Sequence, residues 1–374
     1  MKGLKGSKLP VRRCAALLAT GMALLGGSAH AGILDFYNDG KVLATPGVSM
    51  TDGAGGGGIT PWAVITGYET RDGINADFHY TYVNLPNYSL NSLGAAVGFY
   101  DRVELSYAYD ILPTGSTFNT IGLVSNAVGG LLSSPTLGPI LSGLGLTTGN
   151  QLAGGVDPWN TTIKMHVVGA KVRLIGEAIY DSDNLIPQVS VGGFYKWNEN
   201  KVLLETLQAA KSKDWEAYAS ITKIFFPVST LLNVTARYTG ANQTGLTGFG
   251  GPDGDHKKVR VEASLAYLLK KDTAIGVEFQ QHGHNVDGRN VTLGGGLDLT
   301  SLVNNPLLGP TLKGLGVDSA LVSTLTQKES NWYDAFVAFF PSKNLSITMA
   351  MAYLGQITFT PNQVGYYISL QTSF

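Results

Sequence analysis

The last eleven residues, VGYYISLQTSF, constrain this chain more than any other stretch. Val364, Tyr366, Ile368, Leu370, Thr372 and Phe374 fall on one face of an extended strand; Gly365, Tyr367, Ser369, Gln371 and Ser373 fall on the other. A segment of about ten residues with this two-residue period, apolar on one side and small and polar on the other, suits a strand with lipid on one face and a lumen on the other. The same alternation recurs at 344–354, where Leu345, Ile347, Met349, Met351 and Tyr353 oppose Ser346, Thr348, Ala350 and Ala352. It appears again at 102–110, 231–239 and 257–269.

Fourteen segments read as strands, near 41–51, 60–70, 74–84, 91–100, 102–110, 160–175, 185–197, 214–225, 230–240, 257–269, 273–283, 332–341, 344–354 and 364–374. A soluble sandwich also alternates, but the connections favour a barrel. Short turns (70–73, 100–102, 176–184, 225–229, 270–272, 341–343) take turns with longer loops (52–59, 85–90, 111–159, 198–213, 241–256, 284–331, 355–363). Bacterial transmembrane barrels sort short turns to the periplasm and long loops outside. The expectation is a single antiparallel transmembrane β-barrel of fourteen strands, with twelve as the alternative and both termini periplasmic. The weakest strand is 41–51, because Pro46 interrupts it; that segment is alternatively tucked into the lumen.

The N-terminus reads as an export signal. Lys2, Lys5, Lys8, Arg12 and Arg13 precede the apolar run CAALLATGMALLGG, and Ala29-His30-Ala31 forms a cleavage site. Residues 1–31 would be removed and 32–374 would form the barrel. Five cations leave with the signal, so the net charge falls from −1 to −6. That excludes the basic face a nucleic-acid partner needs. The lone cysteine, Cys14, leaves too, and with it any disulfide or thiolate chemistry. The longest uncharged run, 111–156, holds ten glycines and three prolines and is no membrane helix.

Two long loops share a segment. PTLGPILSGLGL (135–146) and PLLGPTLKGLGV (306–317) agree at eight of twelve positions, 171 residues apart. Apolar loops are costly to leave in water. They are expected to pack together as a lid, to dip into the lumen, or to lie on lipid, with Leu137, Leu141, Leu308 and Leu312 as the gating side chains.

Catalytic and metal constellations are weak. Asp77 and His79 share a strand face, a spacing that could orient an imidazole. His166 lies near Lys164 without a nucleophile, His282 and His284 are two apart, and Asp181, Asp183 and Asn184 only begin a calcium loop. GAGGGG (53–58) lacks the Lys-Ser/Thr and the helix of a phosphate loop. No catalytic residue, metal or cofactor is assigned. The expected lumen lining is Glu104, Asp110, Lys164, Arg237, Arg260, Glu262 and Glu278, charges of both signs such as set selectivity in pores.

Several stretches carry a family resemblance: GGGGITPWAVITGYETRD (55–72), GFYDRVELSYA (98–108), HVVGAKVRLIG (166–176), LTGFGG (246–251), AYLL (266–269) and WYDAFVAFFPSKNLSITMAMAYLG (332–355). Through them the chain resembles the bacterial domain-of-unknown-function family 3034. The resemblance implies an outer-membrane location and supplies no catalytic residues; the two repeated loop segments look like additions to the family pattern. The ending on Phe374 also resembles the C-terminal signature of outer-membrane barrels, which implies the barrel-assembly machinery as a partner beside outer-membrane lipid. The leading expectation is passage or binding of small, partly hydrophobic solutes. The rivals are an outer-membrane enzyme acting on lipid or peptide through His79 and His166, and a structural or docking protein.

Overall fold

The structure, a computed structural model, describes residues 41–68, 73–115, 133–143, 162–179, 185–206, 209–251, 254–255, 257–283, 299–314, 316–325, 329–357 and 360–374. The signal segment, His284 and the 181–184 acidic cluster lie outside the described residues. Two short strands, β1 (Val48–Ser49) and β2 (Gly55–Gly56), pair with each other as a small hairpin. Twelve long strands follow: β3 (Ile74–Asn84), β4 (Ser89–Phe99), β5 (Val103–Pro113), β6 (Thr162–Ile175), β7 (Gln188–Asn198), β8 (Lys213–Phe225), β9 (Thr230–Thr239), β10 (Lys258–Lys270), β11 (Thr273–Gln280), β12 (Trp332–Ser342), β13 (Leu345–Ile357) and β14 (Thr360–Ser373).

Each long strand pairs antiparallel with its neighbours in sequence, and β14 closes on β3 through pairs such as Ser373↔Asp77 and Ile368↔Tyr82. The sheet is therefore a closed twelve-stranded barrel without edges. Closure leaves no strand with an unpaired edge, the condition for a sheet in hydrocarbon. Among the described residues no helix is long and apolar enough to cross a membrane, so the strands do the crossing.

Alternation sets the two faces. On β10, Val259, Val261, Leu265 and Tyr267 are exposed while Arg260, Glu262 and Ser264 are buried. On β14, Val364, Tyr366 and Ile368 point out while Tyr367, Ser369 and Gln371 point in. Around the barrel this leaves an outward apolar belt that only lipid would cover at low cost. Aromatic rings band it near the long-loop end, as in Trp215–Tyr238 and Phe279–Tyr333–Tyr353; Phe78 and Phe374 meet edge to face at the short-turn end.

Twelve strands, the alternative number, is what the chain adopts. The segments 41–51 and 60–70 supply no barrel strand. Residues 41–68 instead fold within the lumen, and there only Val42 is exposed. Pro46 and Pro61 each remove a ladder donor, and Gly47, Gly53 and Gly67 take positive φ, so neither segment makes a long regular strand. The two loop repeats adopt one local form, a single helical turn at Gly138–Gly143 and at Gly309–Gly314. Their loops enter β6 and β12, which stand six strands apart in a ring of twelve. They thus hang from opposite sides of the mouth.

Candidate functional site

The lumen is occupied by residues 41–68, which act as a plug. Its backbone finds partners on the inward side chains of the wall. Pro61 carbonyl accepts from Thr235 Oγ1 (2.7 Å), and Ala63 carbonyl accepts from Gln188 Nε2 (2.7 Å) and Ser190 Oγ (2.5 Å). Ala63 N–H donates to Thr222 Oγ1 (2.7 Å), and Ser49 N–H to Gln371 Oε1 (2.8 Å). Trp62 Nε1 donates to Ser264 Oγ (2.9 Å). An irregular segment buried in a barrel needs this many partners, because each unpaired backbone group would cost about 1–3 kcal/mol.

Two charge clusters carry the heaviest fastening. In the first, Lys171 pairs with Glu104 (3.0 Å) and donates to the carbonyls of Gly55 and Val64 (2.8 and 2.7 Å). Glu104 in turn accepts from the N–H groups of Gly55 and Thr66 (3.0 and 2.8 Å). In the second, plug residue Asp52 sits between Lys196 and Arg237, both at 2.9 Å. Arg237 continues to Glu262 (2.7 Å) and Glu216 (3.3 Å). Burial opposes ionisation of Asp52, but the two cations outweigh it and hold its carboxyl below the ordinary range. At the short-turn end Lys41 meets Asp101 (2.6 Å), which also holds Arg173.

Above the plug, on the long-loop side, lies a chamber enclosing about 1000 Å³ of empty space including its opening. Val83, Leu112, Ile163, Leu246, Trp332 and Ile357 give it apolar walls, and Val48 and Ile59 of the plug give it a floor. Its lining is of the kind small-molecule pockets have, mostly apolar with a few placed polar groups. Here those groups are hydroxyls. Ser49 Oγ and Thr348 Oγ1 are buried without hydrogen-bond partners. Tyr88, at the rim, has its phenol pushed up to about 12 by burial and stays neutral.

The structure sorts the sequence-derived residues. Glu104, Asp110, Arg237, Arg260, Glu262 and Glu278 are buried and face inward. Three of them hold the plug directly, Glu104 and Arg237 through the clusters above and Glu278 by accepting from Thr60 Oγ1 (2.6 Å) and Ile59 N–H (2.9 Å). Lys164 does not belong with them. On β6 the odd positions point in, and Ile163, Met165 and Val167 are fully buried. Lys164 therefore points outward at the rim, 3.9 Å from Glu199. The lumen is apolar at that level, so the usual inside-polar rule reverses and the facing with it.

Asp77 and His79 both face inward, but Asp77 is engaged by Thr66 of the plug and by Gln371 (2.9 Å). Neither ring nitrogen of His79 has a partner. His166 points outward, between Tyr107 Oη and Glu199 Oε1 (both 2.8 Å), stacked on Trp197. The two histidines thus lie on opposite faces of the wall. His282 stacks on Trp332 at 4.1 Å. Among the described residues no cluster of three His, Cys, Asp or Glu could hold a metal. Leu308 and Leu312 are buried within their own loop, Leu137 is half-buried, and nothing is described of the Leu141 side chain.

Residues 45–371, plug and barrel together, match the family described as Protein of unknown function (DUF3034). The chain belongs to the DUF3034 family. No curated protein matches it by sequence. Among solved structures, this DUF3034 barrel is similar at 10% identity to a KdgM porin, covering 80% of this chain and 99% of that one, with a TM-score of 0.41. It is similar at 9% identity to outer membrane phospholipase A from Escherichia coli (80% and 92% covered, TM-score 0.33). An outer-membrane channel from Pseudomonas putida F1 is similar at 9% identity (84% and 97% covered, TM-score 0.36).

The lumenal alternative for 41–51 is what the chain adopts; the parts of the DUF3034 site that sequence reasoning missed are the rest of the plug and its anchors Lys171, Lys196 and Glu216. One signal for the plug was present. Gly57 and Gly58 pass so close to the wall that a Cβ would fall 1.7 Å from Glu278 Oε1 and 2.0 Å from Tyr367 Oη. A glycine run beside proline, with no helix to follow, marks backbone that must approach something closely.

Proposed function

We propose that this protein sits in the outer membrane and takes small, largely apolar solutes into its long-loop chamber for binding and passage. One observation carries the reading: a chamber walled by apolar side chains lies on the long-loop side of the plug. Filling it with water leaves apolar surface wet, at about 25 cal/mol per Å²; an apolar guest removes that cost. The export signal at 1–31 and delivery through the assembly machinery, with Phe374 closing the last strand, complete the reading. The repeated loops would screen the mouth from opposite sides. The protein is read as a binder rather than as an enzyme on lipid or peptide, because His79 has no hydrogen-bond partner and those of His166, Tyr107 and Glu199, lie with it on the outer face.

The test is a fluorescence titration of the purified barrel with N-phenyl-1-naphthylamine, an apolar dye that brightens out of water. Saturable binding is expected, weakened at least tenfold by Leu246→Asp, which would place a charge in the apolar wall. Non-saturable signal, unchanged in that variant, would sink the reading.

A further inference from the structure

A second, smaller space, about 450 Å³ including its opening, lies on the other side of the plug, toward the short turns. Ile224, Leu231, Leu268, Phe336 and Phe340 wall it. It too is apolar. Three residues line both cavities: Val48 and Gly58 of the plug, and Thr348 of β13. The two spaces therefore adjoin at one joint between plug and wall, with these three residues between them.

The wall explains why the joint is there. The ladder aligns Ala274 with Ala338, Ala338 with Thr348, Thr348 with Ser369, and Ser369 with Thr81. All five are inward and buried, on the five consecutive strands β11, β12, β13, β14 and β3. Ala274 and Ala338 line the smaller cavity, Ser369 and Thr81 the larger, and Thr348 both. A band of small side chains at one level leaves room beside the plug. The ion pairs with Glu104, Lys171, Lys196, Glu216, Arg237 and Glu262 stand on β5 to β10, the other half of the ring. Asp52 ties the plug to that half of the wall by ion pairs, whereas the other half holds it by hydrogen bonds alone, from Thr60 and Ile59 to Glu278, from Ser49 to Gln371 and from Thr66 to Asp77. On the joint itself Thr348 Oγ1 is buried with no hydrogen-bond partner.

We infer that apolar solutes cross this barrel past the fixed plug, along the β11–β14–β3 wall, with Thr348 as the size- and polarity-selecting residue. This rests on the proposed uptake of apolar solutes and adds the path and its constriction. The preferred guest is a slim apolar molecule with one hydrogen-bonding group, which Thr348 Oγ1 would meet midway.

The test uses the full chain expressed in a Gram-negative host, whose outer membrane admits N-phenyl-1-naphthylamine slowly. The initial rate of dye entry is read at matched amounts of folded barrel, with dye binding to purified protein beside it. The expected results are entry above the empty host, a fall of at least tenfold in Thr348→Phe, and saturable dye binding by the unsubstituted barrel. Thr348→Cys keeps the question open to one folded molecule: benzyl methanethiosulfonate should stop entry and a reducing agent restore it. The mature chain has no competing cysteine. Entry that survives both Thr348→Phe and benzylation overturns the path and leaves apolar uptake standing. Binding without entry overturns the path and leaves a binding protein. Neither binding nor entry overturns both.

Discussion

Arg237 is held by three carboxylates and has no route to water, so its worth is best judged by what its loss would strand. Asp52, Glu216 and Glu262 are all buried. Removing one partner of such a cluster leaves uncompensated buried charge, typically about 3–5 kcal/mol. Arg237→Ala is expected to release the plug by an amount of that order while the barrel ladder persists. Hydrogen exchange of the 48–60 amides should rise steeply against unchanged exchange in β12–β14. Asp52 adds a pH dependence whose sign is fixed. Its carboxyl is depressed in the folded state, so its contribution is complete above the ordinary carboxylate value of about 3.9 and is lost as pH falls through the lower folded value. Plug amides should stay protected from pH 7 to about 4 and lose protection below that. Asp52→Asn should weaken protection at pH 7 and flatten the acid dependence; an equally steep acid loss in that variant would assign the titration elsewhere.

At the scale of elements, the plug depends on backbone proximity as much as on charge. Gly57 lies against Glu278 so closely that any side chain must displace the carboxylate or the hairpin. Gly57→Val is expected to leave a heat-resistant, fully stranded barrel by electrophoretic mobility, yet open 41–68 to added protease. A plug that remains protected would mean Glu278 can swing aside. The twelve barrel strands were legible in the sequence because lipid on one side and a lumen on the other force a two-residue period, and the short turns punctuate it. The segments around 41–51 and 60–70 misled because their apolar residues also pack inward, against β8–β13, and a short apolar run reads the same in either setting. Lys164 misled for the opposite reason: an inside-polar rule fails where the inside is an apolar chamber. The charges at 104, 110, 237, 260, 262 and 278 were legible as inward, but not the reason for them. Salt-bridge partners contributed by a plug more than fifty residues away leave no local pattern.

For the whole molecule, filling the lumen decides how it conducts. A twelve-stranded barrel lies between small side-chain-filled barrels and the sixteen-stranded porins with aqueous channels. Here a 28-residue segment takes the space, tied to the wall by buried ion pairs, and the spaces beside it are apolar. Such spaces dewet and block ions. The intact barrel in a planar bilayer is therefore expected to show no steady ohmic steps. Deleting 41–68 should produce them, because the wall groups that held the plug then face water. Buried acids on the strands (Asp77, Glu104, Asp110, Asp214, Glu216, Glu262, Glu278, Asp334) outnumber buried cations (Lys171, Arg173, Lys196, Lys223, Arg237, Arg260). The unplugged pore should accordingly prefer cations, with a reversal potential in a salt gradient that fades as salt screens the wall. Steady steps from the intact barrel would mean the plug leaves the lumen at rest, and the paired charges would then line a pore instead of closing one. Silence from both forms would mean that the loops hung at β6 and β12 close the mouth unaided, which removing 125–150 and 300–320 from the unplugged barrel would decide.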